Sequence, residues 1–482
     1  MNFSSVRRFT TAAAFLLTLG FGTTSCEDAL QVEPRASLDA QAGLETRQDI
    51  EAGLLGAYDI VQSANYWGLR YQLFADLGAD NARHTGTFPS FAQIAQNQIL
   101  PDNTEVVAMW NSIYNGVNRS NFIIQQAEKL NDPAFNKNQA IAEARALRAF
   151  HYMNLLGYWG GTPQGYGYAG GLGVPLRLTP TTNIEGTEIQ PQARASEADV
   201  NAVIRADLDF AIANLGGSNK ARITKAGALA LRSRFELRQR NYDEVLKYTA
   251  QITGFSLEGQ YANIFTQKNS GESIWELPFD AVDANSLAFF WFPSAAGGRN
   301  EVDPATGLPG AHEAGDTRLP VNAVTAANAT NVYPTGTTRK YFRVAAGDDN
   351  AILVRFAEVI LTRAEANART GKLDDALVDV NRIRTRAGLA PYTFTVPPVV
   401  PPATTPPPHV LIANTATAVT DAILKERRIE LAQEGHRWFD LRRTNTVQAA
   451  RADVTQTFRN LWPIPQRELQ TSPGVVEQNP GY

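Results

Sequence analysis

The chain has few of the residues that serve thiol or imidazole chemistry. Its 482 residues include one cysteine, Cys26, and only five histidines. A single thiol cannot form a disulfide within the chain or a cluster of thiolate ligands, which excludes a disulfide framework and a thiolate metal site. The five histidines are His84, His151, His312, His409 and His436, and no HExxH pair occurs among them. We therefore expect no metal ion and no cofactor.

Charge of one sign and catalytic motifs are also lacking. The 44 basic residues nearly balance the 48 acidic ones, giving a net charge of −4, and no patch rich in Lys and Arg occurs. This composition argues against a nucleic-acid partner. The sequence has no GxSxG motif for a serine nucleophile. A GxGxxG match at residues 165–170 follows a helical pattern instead of a strand, so it does not fit a dinucleotide site.

The one markedly apolar run of the chain lies at its amino terminus, at residues 12–22. Two arginines precede it and three small residues follow it, which is the order of a secretory signal peptide. Cys26 stands at the expected cleavage point and predicts a bacterial lipoprotein whose thiol is acylated. We therefore interpret residues 1–25 as a lipoprotein signal peptide and residues 26–44 as a lipid-anchored, flexible tether. An ordinary signal peptide with an incidental cysteine is the alternative.

Helical periodicity begins near residue 45 and predicts a mostly α-helical body. Residues 224–239 and 242–252 form one predicted helical hairpin. The sequence NYDEVL after its turn is echoed by KLDDAL at residues 372–377, after a second helix that also has alanines at packing positions. Two such hairpins indicate tetratricopeptide-like repeats, which bury their faces only by stacking on neighbours.

Helical periodicity disappears at residues 254–349, which we interpret as a loop-rich insertion into the helical body. Residues 273–280 (SIWELPFD) predict a strand, and the aromatic run at 289–292 predicts an extended segment with alternating side chains. Insertions on a rigid helical base are where binding surfaces tend to lie. The proline-dense residues 396–408 predict an exposed, extended excursion without chemistry.

Residues 423–443 (ILKERRIELAQEGHRWFDLRR) combine charge with aromatics. Glu426, Glu430 and Glu434 recur every fourth residue, so they share one helical face, and Gly435 is predicted to end that helix. Neighbouring carboxyl groups could form a glycosidase pair, but such pairs flank a cleft and do not follow one helix. We therefore predict a structural network of ion pairs. The arginines expected to pair with these acids are Arg427, Arg437 and Arg442.

This segment resembles the C-terminal signature of the SusD/RagB family, the lipid-anchored nutrient-binding proteins of Bacteroidetes outer membranes. The resemblance extends to WNSIYNGVNRSNFII at residues 110–124, GDTRLP at 315–320, and the WPIP and QNPGY sequences at the end of the chain. It covers nearly the whole mature chain. It implies a SusD-like fold for residues 45–482, in which four tetratricopeptide-like repeats support the insertion.

The resemblance also implies a function. Such a protein captures a glycan or oligosaccharide at the cell surface and passes it, without cleavage, to a SusC-like TonB-dependent transporter. Glu27 and Asp28 resemble the acidic export tag of surface lipoproteins, which implies an outer-membrane location facing the exterior. Three alternatives stay open: binding of peptides or another nutrient for the same kind of transporter, a surface glycosidase, and a helical scaffold.

Aromatic clusters are the candidates for a ligand site, because sugar rings stack their apolar faces on aromatic side chains. The predicted ligand-binding residues are Tyr66, Trp67, Asp80, Asn81, Phe290, Trp291 and Arg299. The alternative is that the aromatics fill the junction between the insertion and the helices. Asp348, Asp349 and Asn350 offer the oxygen ligands that a calcium ion would need.

Overall fold

The computed structural model describes residues 44–182, 189–394, 409–411 and 414–482. The predicted signal peptide, Cys26, the tether up to residue 43 and the proline-dense stretch lie outside the described residues. Leu44 to Tyr482 form one compact unit. The predicted fold class, mostly α-helical with few strands, is confirmed.

Helices supply most of the described structure. In chain order they are α1 (Arg47–Gln62), α2 (Arg70–Leu77), α3 (Pro89–Ala95), α4 (Thr104–Lys129), α5 (Lys137–Trp159), α6 (Glu197–Asn214), α7 (Lys225–Arg238), α8 (Tyr242–Thr249), α9 (Asn263–Thr266), α10 (Leu287–Trp291), α11 (Leu308–Ala311), α12 (Leu319–Asn322), α13 (Phe356–Arg369), α14 (Leu373–Arg386), α15 (Ala416–Glu430), α16 (Arg437–Arg443), α17 (Val447–Ala450) and α18 (Gln466–Thr471).

The strands are short and pair two by two. They are β1 (Ala82–His84), β2 (Leu172–Pro175), β3 (Arg194–Ser196), β4 (Ser273–Leu277), β5 (Val302–Pro304), β6 (Ala351–Arg355), β7 (Thr393–Phe394) and β8 (Val410–Leu411). β1 pairs with β5, β2 with β3 and β4 with β6, all antiparallel, and β7 pairs with β8 in parallel. Two of these pairs, β1–β5 and β4–β6, tie the insertion to the helical body.

The long helices stack in succession. α4 packs against α5, α5 against α6, α6 against α7 and α7 against α8; α13 then packs against α8, α14 and α15. The two predicted hairpins are therefore α7–α8 and α13–α14. Both turns contain a left-handed residue at the same place, Arg240 with φ 61° and Gly371 with φ 81°. The next amide donates to the carbonyl five residues earlier, at 2.9 Å in one hairpin and 2.8 Å in the other, which is the Schellman closure of a helix end.

The core joins the first helices to the end of the chain through aromatic side chains. All seven tryptophans are buried. Trp67 stacks on Tyr71 with ring centroids 4.9 Å apart, and Trp462 lies 4.1 Å from Tyr158. Because each large ring removes 150–250 Å² of surface from water, these contacts dominate the packing energy.

The insertion differs from its prediction in one respect. The predicted strand at 273–280 is present as β4, but the aromatic run at 289–292 is not extended. Its first three residues belong to α10, and the side chain of Asn285, just before that helix, accepts a hydrogen bond from the amide of Leu287 at 2.9 Å. The helical turn leaves Phe289 41% exposed and buries Trp291. Aromatic residues favour strands by propensity, and here tertiary packing overrides that preference.

The predicted ion-pair network around the glutamates is present and is completely buried. Arg355 donates to Glu430 and Glu434 at 2.6 Å each, and Arg318 contacts Glu426 at 2.9 Å. The other cations of the network are Arg384, Arg386 and Lys340. α15 ends at Glu430, five residues before Gly435, where it was predicted to stop, so Glu434 reaches the network from the following turn and not from the helix.

The predicted cationic partners of these acids were wrong. Arg427 pairs with Asp440 at 2.8 Å, and Arg437 pairs with Asp80 at 2.6 Å. Arg442 donates to backbone carbonyls, including that of Gly157 at 2.8 Å. Arg427 directly follows Glu426, and adjacent residues on a helix do not face each other, so the network draws its cations from the insertion, β6 and α14.

Candidate functional site

A cleft of about 960 Å³ opens where the end of α2, strand β1 and helices α15 to α17 meet. Its volume lies within the range of small-molecule binding sites. The charged residues that line it are Asp80, Arg83, His84, Lys425, Arg428, Arg437, Asp440 and Arg451. Small residues such as Ala92, Ala311 and Ala449 form the rest of the lining and keep the space open.

Two arginines converge on Asp80 in this cleft. Arg437 donates to both of its carboxylate oxygens, at 2.6 and 3.0 Å, and Arg428 lies 3.1 Å from one of them. Burial opposes ionisation, but the hydrogen bonds and charge of Arg437 together with Arg428 lower the pKa of Asp80. Two guanidinium groups on one carboxylate leave one surplus positive charge. Within the described residues neither Nη1 atom forms a hydrogen bond, so both remain available to a ligand.

Asn81 supports this arrangement from behind. Its Oδ1 accepts a hydrogen bond from Arg428 at 2.9 Å, and its Nδ2 donates to Asp76 at 3.2 Å. Asn81 is fully buried, so the prediction that it touches a ligand directly is wrong in this respect: it orients Arg428. Asp76 also accepts the amides of Gln433 and Gly435, and burial raises the pKa of Asp76 to about 6.

Asp440 is the second carboxylate of the cleft, and it is fully paired. Arg427 and Arg443 each donate to it at 2.8 Å. Burial opposes ionisation, yet these two charges hold the pKa of Asp440 well below its usual range. A general acid needs a raised pKa at neutral pH. Neither Asp80 nor Asp440 meets that requirement.

Phe88, Phe289, Phe290 and Arg299 form a second feature, which we call the aromatic ledge. Phe290 is half-buried and stacks on Phe91 with ring centroids 5.5 Å apart, and Phe289 stands edge-on to it. The guanidinium of Arg299 lies 3.8 Å from the ring centre of Phe88, within the range of a cation–π contact. The exposed ring of Phe289 offers a face on which a sugar could stack.

Glu301 connects the aromatic ledge to the cleft. Its carboxylate accepts the backbone amide of Phe88 at 2.6 Å and Nε of Arg299 at 3.0 Å, and it contacts Nε2 of His84, a residue of the cleft lining, at 2.9 Å. Burial opposes ionisation, but these hydrogen bonds lower the pKa of Glu301. One ionised carboxylate therefore fixes the position of both features relative to each other.

Three of the predicted aromatic ligand residues are core residues. The hydroxyl of Tyr66 accepts a hydrogen bond from Asn154 at 2.6 Å, and the ring of Trp67 is stacked on both sides, by Tyr71 and Phe150. Tyr66, Trp67 and Trp291 are at most 1% exposed. A sugar needs an exposed ring face, so the prediction is wrong in this respect for all three. All three belong to the buried core, and the ring contacts of Tyr66 and Trp67 come from α2 and α5 of the helical body instead of the insertion.

The structure thus brings together Asp80, Phe290 and Arg299 from the predicted set. It adds Arg428, for which no partner was predicted, and Arg437, which was assigned to the glutamate network. The helical interval contained the signal for Arg428, because a residue midway between Glu426 and Glu430 points to the opposite side of the helix. Phe88 carried no such signal, since only the fold places it beside the insertion.

The residues considered for calcium serve other contacts. Asp348 pairs with Lys268 at 2.8 Å, Asp349 accepts the amide of Arg343 at 2.9 Å, and Asn350 accepts the amide of Phe279 at 3.0 Å. Across the described part of the chain, no three His, Cys, Asp or Glu side chains are grouped as metal ligands would be.

Two family profiles match the chain. One, described as "SusD family", matches residues 315–482, and the other, "Starch-binding associating with outer membrane", matches residues 28–237. The predicted resemblance to the SusD/RagB family is confirmed. SusD-like protein P38 of Formosa agariphila is 27% identical over 535 residues, covering 97% of this chain and 98% of that protein. SusD-like protein P25 of the same organism is 24% identical and covers 96% of this chain and 97% of its own.

Solved SusD structures share the fold. A SusD superfamily protein from Bacteroides vulgatus superimposes with a TM-score of 0.75 at 20% identity, covering 91% of this chain and 100% of that one. A laminarin-binding SusD-like protein superimposes with a TM-score of 0.73 at 23% identity, with the same coverage of both chains. Surface glycan-binding protein A from Bacteroides fluxus gives 0.72 at 22% identity, covering 91% of this chain and 100% of its own. Within the described residues, every helix is too short or too polar to cross a membrane.

Proposed function

We propose that this SusD protein binds a glycan or oligosaccharide in the cleft and on the aromatic ledge, and delivers it uncleaved to a partner TonB-dependent transporter of the outer membrane. The observation that carries the proposal is the single carboxylate, Glu301, that joins an exposed aromatic surface to a cleft of 960 Å³. Stacking surfaces next to fixed polar donors are what an oligosaccharide requires. The named properties of the laminarin-binding and surface glycan-binding relatives agree with it.

The chemistry of each part follows from its side chains. The face of Phe289 would take the apolar C–H surface of one sugar ring. Arg299, held flat over Phe88, would donate hydrogen bonds to hydroxyl groups beside it. In the cleft, Arg428 and Arg437 are held rigid by Asp80, so their remaining N–H groups would bind hydroxyls or acidic substituents with little loss of side-chain entropy.

We propose that no bond is cleaved in this site. The two carboxylates of the cleft are ionised and held by arginines, and the glutamates of the buried network are each bound by cations in the core. Neither set provides a protonated acid opposite a base or nucleophile, which glycoside hydrolysis needs. Incubation of the protein with soluble starch or laminarin should therefore release no reducing sugar, and release above that of a heat-denatured sample would contradict the proposal.

Attachment to the membrane is proposed to run through Cys26, with the tether allowing the body to act as a hinged lid on the transporter. The family description of outer-membrane association supports this location. In a Bacteroidetes host fed an alkyne-bearing fatty acid, the full chain should take up label and Cys26→Ala should not. Protease added to intact cells should then degrade the labelled protein if it faces the exterior.

A transporter should co-purify with the labelled protein, and its absence would contradict the delivery step.

Glycan binding is tested by affinity electrophoresis in gels that contain starch or laminarin. Phe289→Ala removes the 41% exposed ring of the ledge, and Leu55→Ala, which removes a 56% exposed apolar side chain of α1, is its control. Ala449→Trp fills the cleft, and Ala202→Trp places the same ring on an exposed position of α6 outside it. Both site variants should bind at least tenfold more weakly, and both controls should bind as the wild type does.

The outcome separates the possible ligands. Unchanged binding in both Phe289→Ala and Ala449→Trp would place the ligand elsewhere. If starch and laminarin fail to bind but a peptide mixture is retained through the same residues, the ligand is a peptide. Substitutions of Trp67 or Trp291 would not serve as tests, because these rings are buried and their loss costs about 3–5 kcal/mol of stability, so an effect on binding would not report on a contact with the ligand.

A further inference from the structure

A second groove of about 700 Å³ lies apart from the cleft and shares no lining residue with it. One wall is the middle of α4 and the other is the short C-terminal helix α18, with the segment after β2 at one end. The two walls come from opposite ends of the sequence, so only the fold creates this groove.

The α4 wall presents a row of asparagines. Asn111, Asn115 and Asn118 follow one another at intervals of four and three residues, which places them on one face of the helix. Asn118 is used by the fold, because its side chain binds both the amide and the carbonyl of residue 181. Asn111 and Asn115 are exposed, and their amides form no hydrogen bond within the described residues. Each therefore presents two donors and two acceptor lone pairs to the groove.

An aromatic ring lies within the same wall. Tyr114 is half-buried, packs against Trp110 with ring centroids 4.8 Å apart, and is fixed by a hydrogen bond from its hydroxyl to the carbonyl of Pro175 at 2.8 Å. Trp110 in turn donates to Glu468 of α18 at 3.4 Å, which ties the two walls together. The groove thus offers an immobilised ring edge beside unpaired amides.

We propose that this groove is a second binding site, and that it takes a neutral, hydroxyl-rich oligosaccharide. Neutral amides match hydroxyl groups, which both donate and accept, better than they match an anion. The groove also differs from the cleft, whose lining is dominated by charged side chains. Two sites on one chain would hold a long glycan at two points, which slows its escape without a tighter contact at either.

The test measures how many oligosaccharides bind per chain. Isothermal titration with maltohexaose and with laminarihexaose should give two sites on the wild type for at least one of these probes. In the double variant Phe289→Ala with Ala449→Trp, one site should remain. Adding Asn111→Ala and Asn115→Ala should weaken that remaining site about tenfold or more, since each lost hydrogen bond costs affinity. Alanine favours a helix more than asparagine does, so the substitutions leave α4 folded.

Two controls sharpen the reading. Asn138→Ala removes an exposed asparagine of α5 outside both cavities and should change nothing. Arg467→Gln removes the positive charge that α18 contributes to the groove lining, next to the acidic Glu468, and it should weaken binding less than the asparagine pair does. A larger effect of Arg467→Gln would mean that the ligand is anionic, which overturns the assignment.

The failures of the two proposals are distinguishable. One site per chain together with wild-type affinity in the asparagine variant overturns the second site and leaves the cleft intact. If two sites are found and neither is affected by Phe289→Ala or Ala449→Trp, the proposal for the cleft is overturned. Loss of these sites on substitution of the asparagines would support the proposal for the groove. No binding of either probe by the wild type means that a neutral glucan is not the ligand of the groove.

Discussion

Both faces of α15 carry charged side chains, glutamates on the inner face and basic residues on the outer one, and use them differently. On the inner face, Glu426 and Glu430 are fully buried, and each is bound by two or more guanidinium groups. On the outer face, Lys425 and Arg428 line the cleft and remain partly exposed. The inner charges have lost all contact with water, whereas the outer ones have kept part of it.

The difference lies in how completely each charge is paired. A buried ion must be fully paired, because the cost of removing it from water is several kcal/mol. A partly solvated ion can leave donors unpaired, as the Nη1 atoms of Arg428 and Arg437 do within the described residues. The inner face can therefore only stabilise the fold, while the outer face keeps bonding capacity for a ligand. Glu313, which pairs with Arg384 inside and Lys425 outside, connects the two.

The largest expected effect breaks the inner network. In the wild type, burial opposes ionisation of Glu430, but the charges of Arg318, Arg355 and Arg386 hold the pKa of Glu430 well below its usual range. Glu430→Gln leaves these three arginines without their shared carboxylate. Removing one partner of a buried ion pair costs about 3–5 kcal/mol. Urea denaturation followed by circular dichroism measures the loss. A change below 1 kcal/mol would show that the inner network adds little stability.

A smaller effect is expected from the corresponding change in the cleft. Asp80→Asn removes the carboxylate between Arg428 and Arg437, whose side chains are 21% and 14% exposed. Because water can then solvate part of the freed charge, we expect a loss of about 1.5–3 kcal/mol, the usual worth of hydrogen bonds to charged groups. The same urea denaturation, followed by circular dichroism, measures this loss. A loss equal to that of Glu430→Gln would remove the distinction between the two faces.

The carboxylate that connects the faces should control acid sensitivity. Burial opposes ionisation of Glu313, but hydrogen bonds from Arg384 and Lys425 lower the pKa of Glu313 to about 2. A lowered folded-state pKa gives stability that is present above the unfolded value, about 4.5, and is lost as the pH falls towards 2. In this window, the free energy of unfolding of Glu313→Gln should depend less steeply on pH than that of the wild type. The difference in slope should correspond to at most one bound proton. An unchanged slope between pH 4.5 and 2 would contradict the pairing.

The smallest effect is expected at the rim of the cleft. Asp453 pairs with Arg451 at 2.7 Å, but the Asp453 side chain is 61% exposed. Exposed ion pairs contribute about 0–1 kcal/mol. Asp453→Asn should therefore unfold within 1 kcal/mol of the wild type at 0.15 M salt, and it serves as the control for the two larger losses. A loss of stability near that of Asp80→Asn would mean that the exposure of an ion pair does not determine how much it stabilises the protein.

Local patterns predicted much of the fold. The helices, both hairpins with their echoed turns and the strand β4 follow from periodicity over adjacent residues, and the spacing of the three glutamates predicted a shared network of ion pairs. The cationic partners of those glutamates did not follow. Arg318, Arg355 and Arg384 come from three different segments, and nothing in the sequence links them to α15.

By itself the sequence determined the fold class, the family and the charged character of residues 423–443, because these depend on intervals and motifs along one chain. Only the tertiary structure decided which aromatics face outward. Trp67 and Phe289 are both aromatic residues in irregular surroundings, yet one is enclosed by Tyr71 and Phe150 and the other stands 41% exposed on a helical turn. Exposure depends on what packs against a ring, and those neighbours are distant in sequence.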